Sequence, residues 1–393
     1  MLPAAEPRLN RVILTLGGMA LLALAFLDVA RIQPNRIVSG TGYGLLEGVG
    51  AVPSLIVVLP LLTLAGLALR PGGSGNWIML ALSVLMLVAL PWAMGIFIDR
   101  TIDPTQSAAR AALSGATWLL AFSLVLMVID LRQRLNPGVF VTFAISLTIL
   151  GSLGLALFSG VLDRLALVQE YIVRREAFSD AIANHLALVG IAVGTSLVIA
   201  VGLALWMRRV AGVRQGVLGV LSFIQTIPSL ALFGLLLAPL AWLAARYPIL
   251  GDMGIQGIGW APALLALVGY SLLPMTRNTF IALDGVSDDV IEAARGVGMA
   301  PLQVFFQVRL PLALPLLIEG IRITAVQAIG LTAVAALIGA GGLGIFIFQG
   351  LGQAAMNLVV LGALPIVVMA MLVDALLKAL ADAARRGDAD DRT

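Results

Sequence analysis

Long runs without a single charged side chain constrain this sequence more than any other feature. Such runs occupy 12–27, 48–69, 71–98, 111–129, 135–162, 186–207, 215–245, 253–276 and 323–373. A hydrocarbon core about 30 Å thick takes roughly 20 helical residues. A backbone crossing it must satisfy its own hydrogen bonds, which helices do within one segment. The last run is long enough for two spans and is split by the glycine-rich GAGGLGIFIFQGLGQAAM of 339–356. The stretch 310–338 is then one span with Glu319 and Arg322 in its first turns. The reading predicts ten helices, at 12–30, 50–69, 77–98, 113–130, 139–158, 185–206, 216–240, 260–276, 312–338 and 357–377. The fold class is all-α, a polytopic transmembrane helical bundle.

Composition agrees and removes several chemistries. Apolar residues make up 60% and charged ones 11%, against about 25% charged in a soluble domain. There is no cysteine and one histidine, His185. Disulfides, iron–sulfur clusters, thiol catalysis and multi-histidine metal sites are excluded, so no cofactor, metal or catalytic set is expected. The one lysine, Lys378, is followed by alanine, so there is no GxxxxGK[ST] phosphate loop. ATP-driven transport would need an ATPase on another chain. The net charge of +3 calls for no nucleic-acid partner. With both termini inside, 15 of the 24 basic residues fall in inner segments and eight outside, with Arg322 within the membrane. That bias favours an N-in, C-in orientation in the cytoplasmic membrane. Arg8 and Arg11 before the first run imitate a signal peptide, but Asp28 spoils a cleavage site ending at Ala30, so the segment is read as an anchor.

Texture divides the chain. Residues 1–158 hold five spans with short connections. Residues 159–184 carry mixed charges and are expected to form an outer amphipathic connector at the membrane surface. Residues 185–377 hold five further spans, and 378–393 form a cytoplasmic tail. The second block contains one long, charged inner loop, about 277–311. There Ser287 suits an N-cap, with Asp288 and Asp289 at the positive end of a helix. That helix is expected to stop at Gly296 or Gly298, Pro301 to begin a second one, and Pro311 to turn the chain into the next span. Two short helices of this kind are not expected to fold alone and need a surface to dock on.

The loop carries Glu292-Ala293-Ala294, three residues, Gly298, nine residues, Val308, and then Leu310-Pro311. This pattern resembles the loop signature of ABC importer permeases, with valine in place of the commoner isoleucine. The resemblance implies that Glu292, Ala293, Ala294, Arg295, Gly298 and Pro311 belong to a coupling helix that docks on a separate ATPase. It continues through HLALVGIAVGTSLVIAVGLAL, SFIQTIPSLALFGLLL, YSLLPMTRNTF and TAVAALIGAGGLG, which look like permeases for glycine betaine, choline and related osmoprotectants. It covers 185–377, implying a five-span type I importer permease core. The first five spans match a longer branch with an added membrane domain. Implied partners are an ATPase, a substrate-binding protein and a second permease copy or paralogue, beside membrane lipid. An amino-acid or methionine-type permease is the alternative within transport. An ion-coupled secondary carrier is the alternative from another class, though neither inverted repeats nor mid-depth charges are evident.

Ser222, Gln225, Thr226 and Ser229 stand at i, i+3, i+4 and i+7, within roughly 100° of one helix face. Such a stripe either packs by hydrogen bonds against another helix or lines a solute path. With the resemblance it is assigned to a translocation path, facing Thr324 and Gln327. Glu319 and Arg322, each costing about 2.5–3.5 kcal/mol at mid-membrane, are expected as a structural ion pair at i, i+3. His185 is expected at the interface, and GAGGLG as a turn at the outer mouth that meets the binding protein.

Overall fold

A computed structural model describes residues 9–36, 38–70, 72–103, 105–106 and 108–390, with side chains described to residue 385. Eight of its helices are long and apolar enough to cross a membrane: Ala51–Leu69, Gly73–Thr101, Gly115–Leu135, Val139–Phe158, Arg175–Arg209, Ser229–Arg246, Pro301–Ile338 and Met356–Arg385. Two more stand where spans were expected. Arg11–Phe26 is apolar but has only 16 residues. Trp260–Asp284 is diluted by Tyr270, Ser271, Thr276, Arg277 and Asn278. The chain separates into two compact units, 1–173 and 174–393.

The first unit contains α1 (Arg11–Phe26), β1 (Ala30–Gln33), β2 (Thr41–Tyr43), α2 (Leu45–Val49), α3 (Ala51–Leu69), α4 (Gly73–Thr101), β3 (Arg110–Leu113), α5 (Gly115–Leu135), α6 (Val139–Phe158) and α7 (Ala166–Val173). Its core joins Ile13, Ala20, Leu61, Leu64, Met79, Phe97, Leu124 and Met127. The expected span 12–30 ends early, because Leu27 turns extended and the next residues enter a sheet. That sheet is a small addition to a chain whose class is the expected all-α bundle. It is antiparallel with strand order β2-β1-β3 and pairs Ala30 with Tyr43 and with Leu113. Its strands are three or four residues long, two from the connection between α1 and α2 and one from that between α4 and α5, too short to show a period.

The connector departs from expectation as well. The expected outer helix is the short α7, which lies against β3 within this unit and leaves Tyr171, Ile172 and Val173 exposed. Glu170 of α7 is buried and bridges Arg36 at 2.9 Å and Arg110 at 3.2 Å. The residues from 175 onward already belong to the following long helix.

The second unit contains α8 (Arg175–Arg209), α9 (Val213–Thr226), α10 (Ser229–Arg246), α11 (Pro248–Asp252), α12 (Trp260–Asp284), α13 (Asp288–Gly296), α14 (Pro301–Gln303), a π-helical turn (Val304–Arg309), α15 (Leu310–Ala335), a 3-10 turn (Ala336–Ile338), α16 (Gly344–Gly352) and α17 (Met356–Asp390). Helix α12 is central, with fourteen of its residues buried, many of them alanine, serine or threonine. Small residues let helices approach closely where no hydrophobic drive exists between them. This shielding explains how so mixed a helix stands among apolar ones.

Three expected boundaries change. The span 216–240 is two helices, because Pro228 lacks an N–H and holds Ile227 extended, a full break. The span 260–276 runs on to Asp284 because Phe280 and Leu283 find a core beyond the apolar run. The expected tail from 378 continues α17 to Asp390.

Glu170→Ala leaves Arg36 and Arg110 facing a site without its acid. Losing one member of a buried ionic cluster costs about 3–5 kcal/mol, less here because Arg36 is 38% exposed. Thermal unfolding in detergent should show a lowered Tm, with a smaller loss for Glu170→Gln; an unchanged Tm for the alanine variant means that the cluster does not hold the sheet.

Candidate functional site

The segment between α12 and α15 explains its own spacing. Ser287 occupies the N-cap of α13, although its hydroxyl makes no capping bond. Asp288 and Asp289 fill the first turn and Arg295 the last, each complementing the helix dipole. Ile291 and Ala294, three residues apart, turn inward. Glu292, Ala293 and Arg295 therefore face outward and are exposed. The Gly298 N–H donates to the Arg295 carbonyl at 2.9 Å and the Met299 N–H to the Ala294 carbonyl at 3.2 Å. Together these are the two bonds of a Schellman ending. It needs a left-handed residue, and Gly298 has φ 91°. The fixed distance from EAA to glycine is thus the length of one helix end.

The loop rests on a core shared with neighbouring helices of this chain, which supply the surface that its two short helices were expected to need. Ile291, Ala294 and Val304 pack with Met207, Phe280, Leu283, Val286, Ala313 and Leu317. That core is assembled from five elements, which no local pattern reveals. The outer face still carries Val297, Leu302 and Phe306 largely exposed beside Glu292 and Arg295. Mixed apolar and charged groups of this kind suit a protein partner.

Pro311 does not turn the chain. Pro301 begins a helix that continues through the π turn into α15, with Pro311 near the start of the latter. The Leu310 N–H reaches back to the Phe305 carbonyl, five residues earlier. The π turn thus leads the helix past a proline that has no N–H to give.

Three arginines that were read only as inner-side charge meet the last turn of α12. Arg309 is buried, and its Nη1 donates to the Leu283 carbonyl at 3.0 Å. Arg208 at the end of α8 lies 3.3 Å from Asp284, and the Arg214 guanidinium sits 4.5 Å above the Phe280 ring. The available signal was Arg309 itself, the charge between Val308 and Leu310 in an otherwise apolar stretch.

The polar stripe is divided by the break at Pro228. Ser222, Gln225 and Thr226 end α9, whereas Ser229 begins α10. Ser222 and Thr226 are exposed, and Gln225 and Ser229 half-buried. Gln225 donates through Nε2 to the Tyr270 carbonyl at 2.8 Å, and the Tyr270 hydroxyl donates to the Ile227 carbonyl at the break. Thr324 is wholly enclosed, its hydroxyl donating to the Gly320 carbonyl at 2.9 Å, so in this chain it does not face a path. A threonine bonding one turn back needs no outside partner. Gln327 is half-buried.

Glu319 and Arg322 lie 3.1 Å apart, and the pair extends to α17 through Asp374, 3.6 Å from Arg322, and Arg385, 3.6 Å from Glu319. His185 departs from its interfacial expectation. It is fully buried, with Nε2 3.0 Å from the Ile329 carbonyl and Nδ1 accepting from the Leu343 N–H at 3.4 Å. Both contacts hold when the proton is on Nε2. Beside it, Asn184 donates to the Ala340 carbonyl at 3.2 Å. The GAGGLG run thus packs on α8, with Gly339, Gly341 and Gly342 all left-handed.

The sequence model of the binding-protein-dependent transport system inner membrane component family matches residues 181–386. The model of the N-terminal domain of the ABC transporter permease YehY matches 8–168. Among curated proteins, the chain is 41% identical over 181 residues to the osmoprotectant import permease protein OsmW of Salmonella typhimurium, covering 46% of this chain and 79% of that one. It is 39% identical over 182 residues to the carnitine transport permease protein OpuCB of Listeria monocytogenes, covering 46% and 76%. The choline transport system permease protein OpuBB of Bacillus subtilis is 36% identical over 182 residues, again at 46% and 76%.

His185→Leu keeps the bulk but removes both polar contacts to the glycine run. Unmade hydrogen bonds of this kind cost about 1–3 kcal/mol each when buried. Hydrogen exchange should accelerate at 339–343 and stay unchanged at 288–296; equal protection at 339–343 in both proteins means that glycine packing alone holds the run.

Proposed function

The chain belongs to the binding-protein-dependent transport system inner membrane component family, and from that premise we propose that it is the permease subunit of an ABC importer for osmoprotectants such as glycine betaine, choline and carnitine. The observation that carries this reading is α13, with its buried Ile291 and Ala294, its outward Glu292 and Arg295, and its left-handed Gly298. A helix so held against its neighbours presents a rigid knob to a groove on a separate ATPase. The relatives' names support the solute class and favour it over amino acids. Affinity for the solute is assigned to a separate binding protein, because a quaternary ammonium is held tightly by an aromatic cage and the aromatic complement, 6 Trp, 4 Tyr and 14 Phe, is thin. A second permease, identical or paralogous, completes the pathway.

The arginine bias supports N-in, C-in, which puts α13 and the end of α17 on the cytoplasmic side. ATP binding then biases the spans between inward and outward access. The solute path is assigned to Ser222, Thr226 and Ser229, with Gln225 and Gln327 beside them and Thr324 supporting the wall from within. A zwitterion without a donor proton passes best through a weakly polar, uncharged lining, and no acidic residue stands among these positions. Residues 1–158 are proposed as a separate membrane domain, with 185–377 as the permease core.

Uptake of labelled glycine betaine, choline and carnitine by the full complex in proteoliposomes tests the solute class; uptake of none of them, with an amino acid carried instead, defeats it. For docking, Glu292→Arg combined with Gly298→Val should abolish ATP-coupled uptake and weaken co-purification with the ATPase while the chain still inserts. A well-expressed double variant with unchanged coupling removes α13 from the docking role.

For the path, a large residue at Ser229 should block uptake without loss of ATPase binding, and Gln327→Leu should reduce it. Cysteines introduced at Ser222 and Thr226 should react with aqueous reagents in at least one nucleotide state, on a background free of cysteine. Unreactive cysteines and full uptake by Gln327→Leu would falsify the path and leave the stripe as helix packing.

A further inference from the structure

Arg309 is a buried charge whose described partner is a backbone carbonyl, not a carboxylate. Burying a guanidinium without an opposite charge is costly. What offsets the cost here is position. Leu283 is the penultimate residue of α12, so its carbonyl is one of the four that a helix end leaves without an internal partner. The C-terminal end of a helix also carries the negative pole of its dipole, which favours a cation. Arg309 is thus the cap of α12, supplied by the π turn that opens α15. Two further arginines reach the same turn from other elements, Arg208 to Asp284 and Arg214 to Phe280. Beneath them Met207, Phe280, Leu283, Val304, Ala313 and Leu317 form one core.

We propose that the last turn of α12, Phe280–Asp284, is the transmission node of the permease, and that Arg309 is the positioning residue that locks α15 to it. This inference rests on the docking role given above to α13. Helix α13 follows α12 after three residues and precedes the π turn after seven. A push on α13 therefore reaches both spans, and without a lock each would answer separately. With Arg309 bonded to Leu283, α12 and α15 move as one body, and Arg208 and Arg214 bring α8 and α9 with them. The π turn places the lock beside Pro311, where the helix has already lost a backbone bond and is most easily bent.

The test uses the full chain in its complex with the ATPase and binding protein, reconstituted in proteoliposomes. Arg309→Met fills similar space and removes the donor; it relieves the burial of a charge and leaves the Leu283 carbonyl unpaired, two opposing effects on folding. The variant should co-purify with the ATPase as the wild type does, yet carry about tenfold less solute per ATP hydrolysed, the worth of one hydrogen bond to a charged group. Arg309→Lys, which keeps a charge but not the fork, should fall between. A purely structural role does not move a second readout, the distance between spin labels at Ile281→Cys and Leu314→Cys, both exposed in the wild type. That distance should be the same with and without nucleotide in the otherwise wild-type chain and should change with nucleotide when Arg309→Met is added. Wild-type uptake per ATP in Arg309→Met overturns the proposal. A nucleotide-dependent distance with Arg309 intact also overturns it, and needs no Arg309 variant to fold. Loss of ATPase binding in Arg309→Met overturns it too, by placing the arginine in the docking surface. Failure of the docking reading shows elsewhere, as unchanged coupling in the Glu292→Arg, Gly298→Val variant.

Discussion

Hydrocarbon offers no hydrogen bonds, and most features of this chain are answers to that absence. Every backbone group at depth must be paired within the protein. Side-chain hydroxyls follow the same rule by bonding one turn back, as Ser83 does to Met79, Thr148 to Ala144 and Thr332 to Ala328. Such residues sit in lipid-facing or buried helices at little cost and carry no message about function. Where the backbone does break, at Ile227–Pro228, the freed carbonyl is met by the Tyr270 hydroxyl, and Gln225 ties the same region to the Tyr270 carbonyl. The break is held from outside its own helix.

The same constraint moves charge to the helix ends and pairs what remains. Glu319, Arg322, Asp374 and Arg385 form a chain of contacts between α15 and α17. Glu170 draws two arginines to the sheet of the first unit. Arg309 finds a helix end instead of an acid. Close backbone approach replaces the hydrophobic drive that lipid cannot supply between helices. A side chain at Gly344 would collide with the Ala333 carbonyl, and one at Gly362 would stand 2.7 Å from the Leu343 carbonyl. Substituting either glycine forces the turn that includes α16 away from its neighbours.

Spans were legible where composition alone decides them. The helices Ala51–Leu69 and Val139–Phe158 agree closely with their uncharged runs because few residues of either are buried against other parts of the chain. Boundaries failed where a tertiary partner takes over. Helix α12 outruns its apolar stretch because a core and a capping arginine wait beyond the membrane run. The polar stripe failed as a single face because one proline outweighs a periodic pattern. Thr324 shared a face with Gln327 in sequence, but neighbouring helices enclose the one and leave the other half-open.

The sequence by itself determined that the chain spans a membrane many times, that it hydrolyses nothing with thiols or clustered histidines, and that it carries a helix, glycine turn and helix at 288–309. Those conclusions follow from counts and fixed spacings, which are local. Only the tertiary structure decided that the loop shares a core with α8, α12 and α15, that His185 is buried beneath the glycine run, and that three arginines converge on one helix end. The contacts of the arginines and of His185 join residues 26 to 158 positions apart, and the bilayer's demand for internal partners says only that partners must exist, not which ones they are.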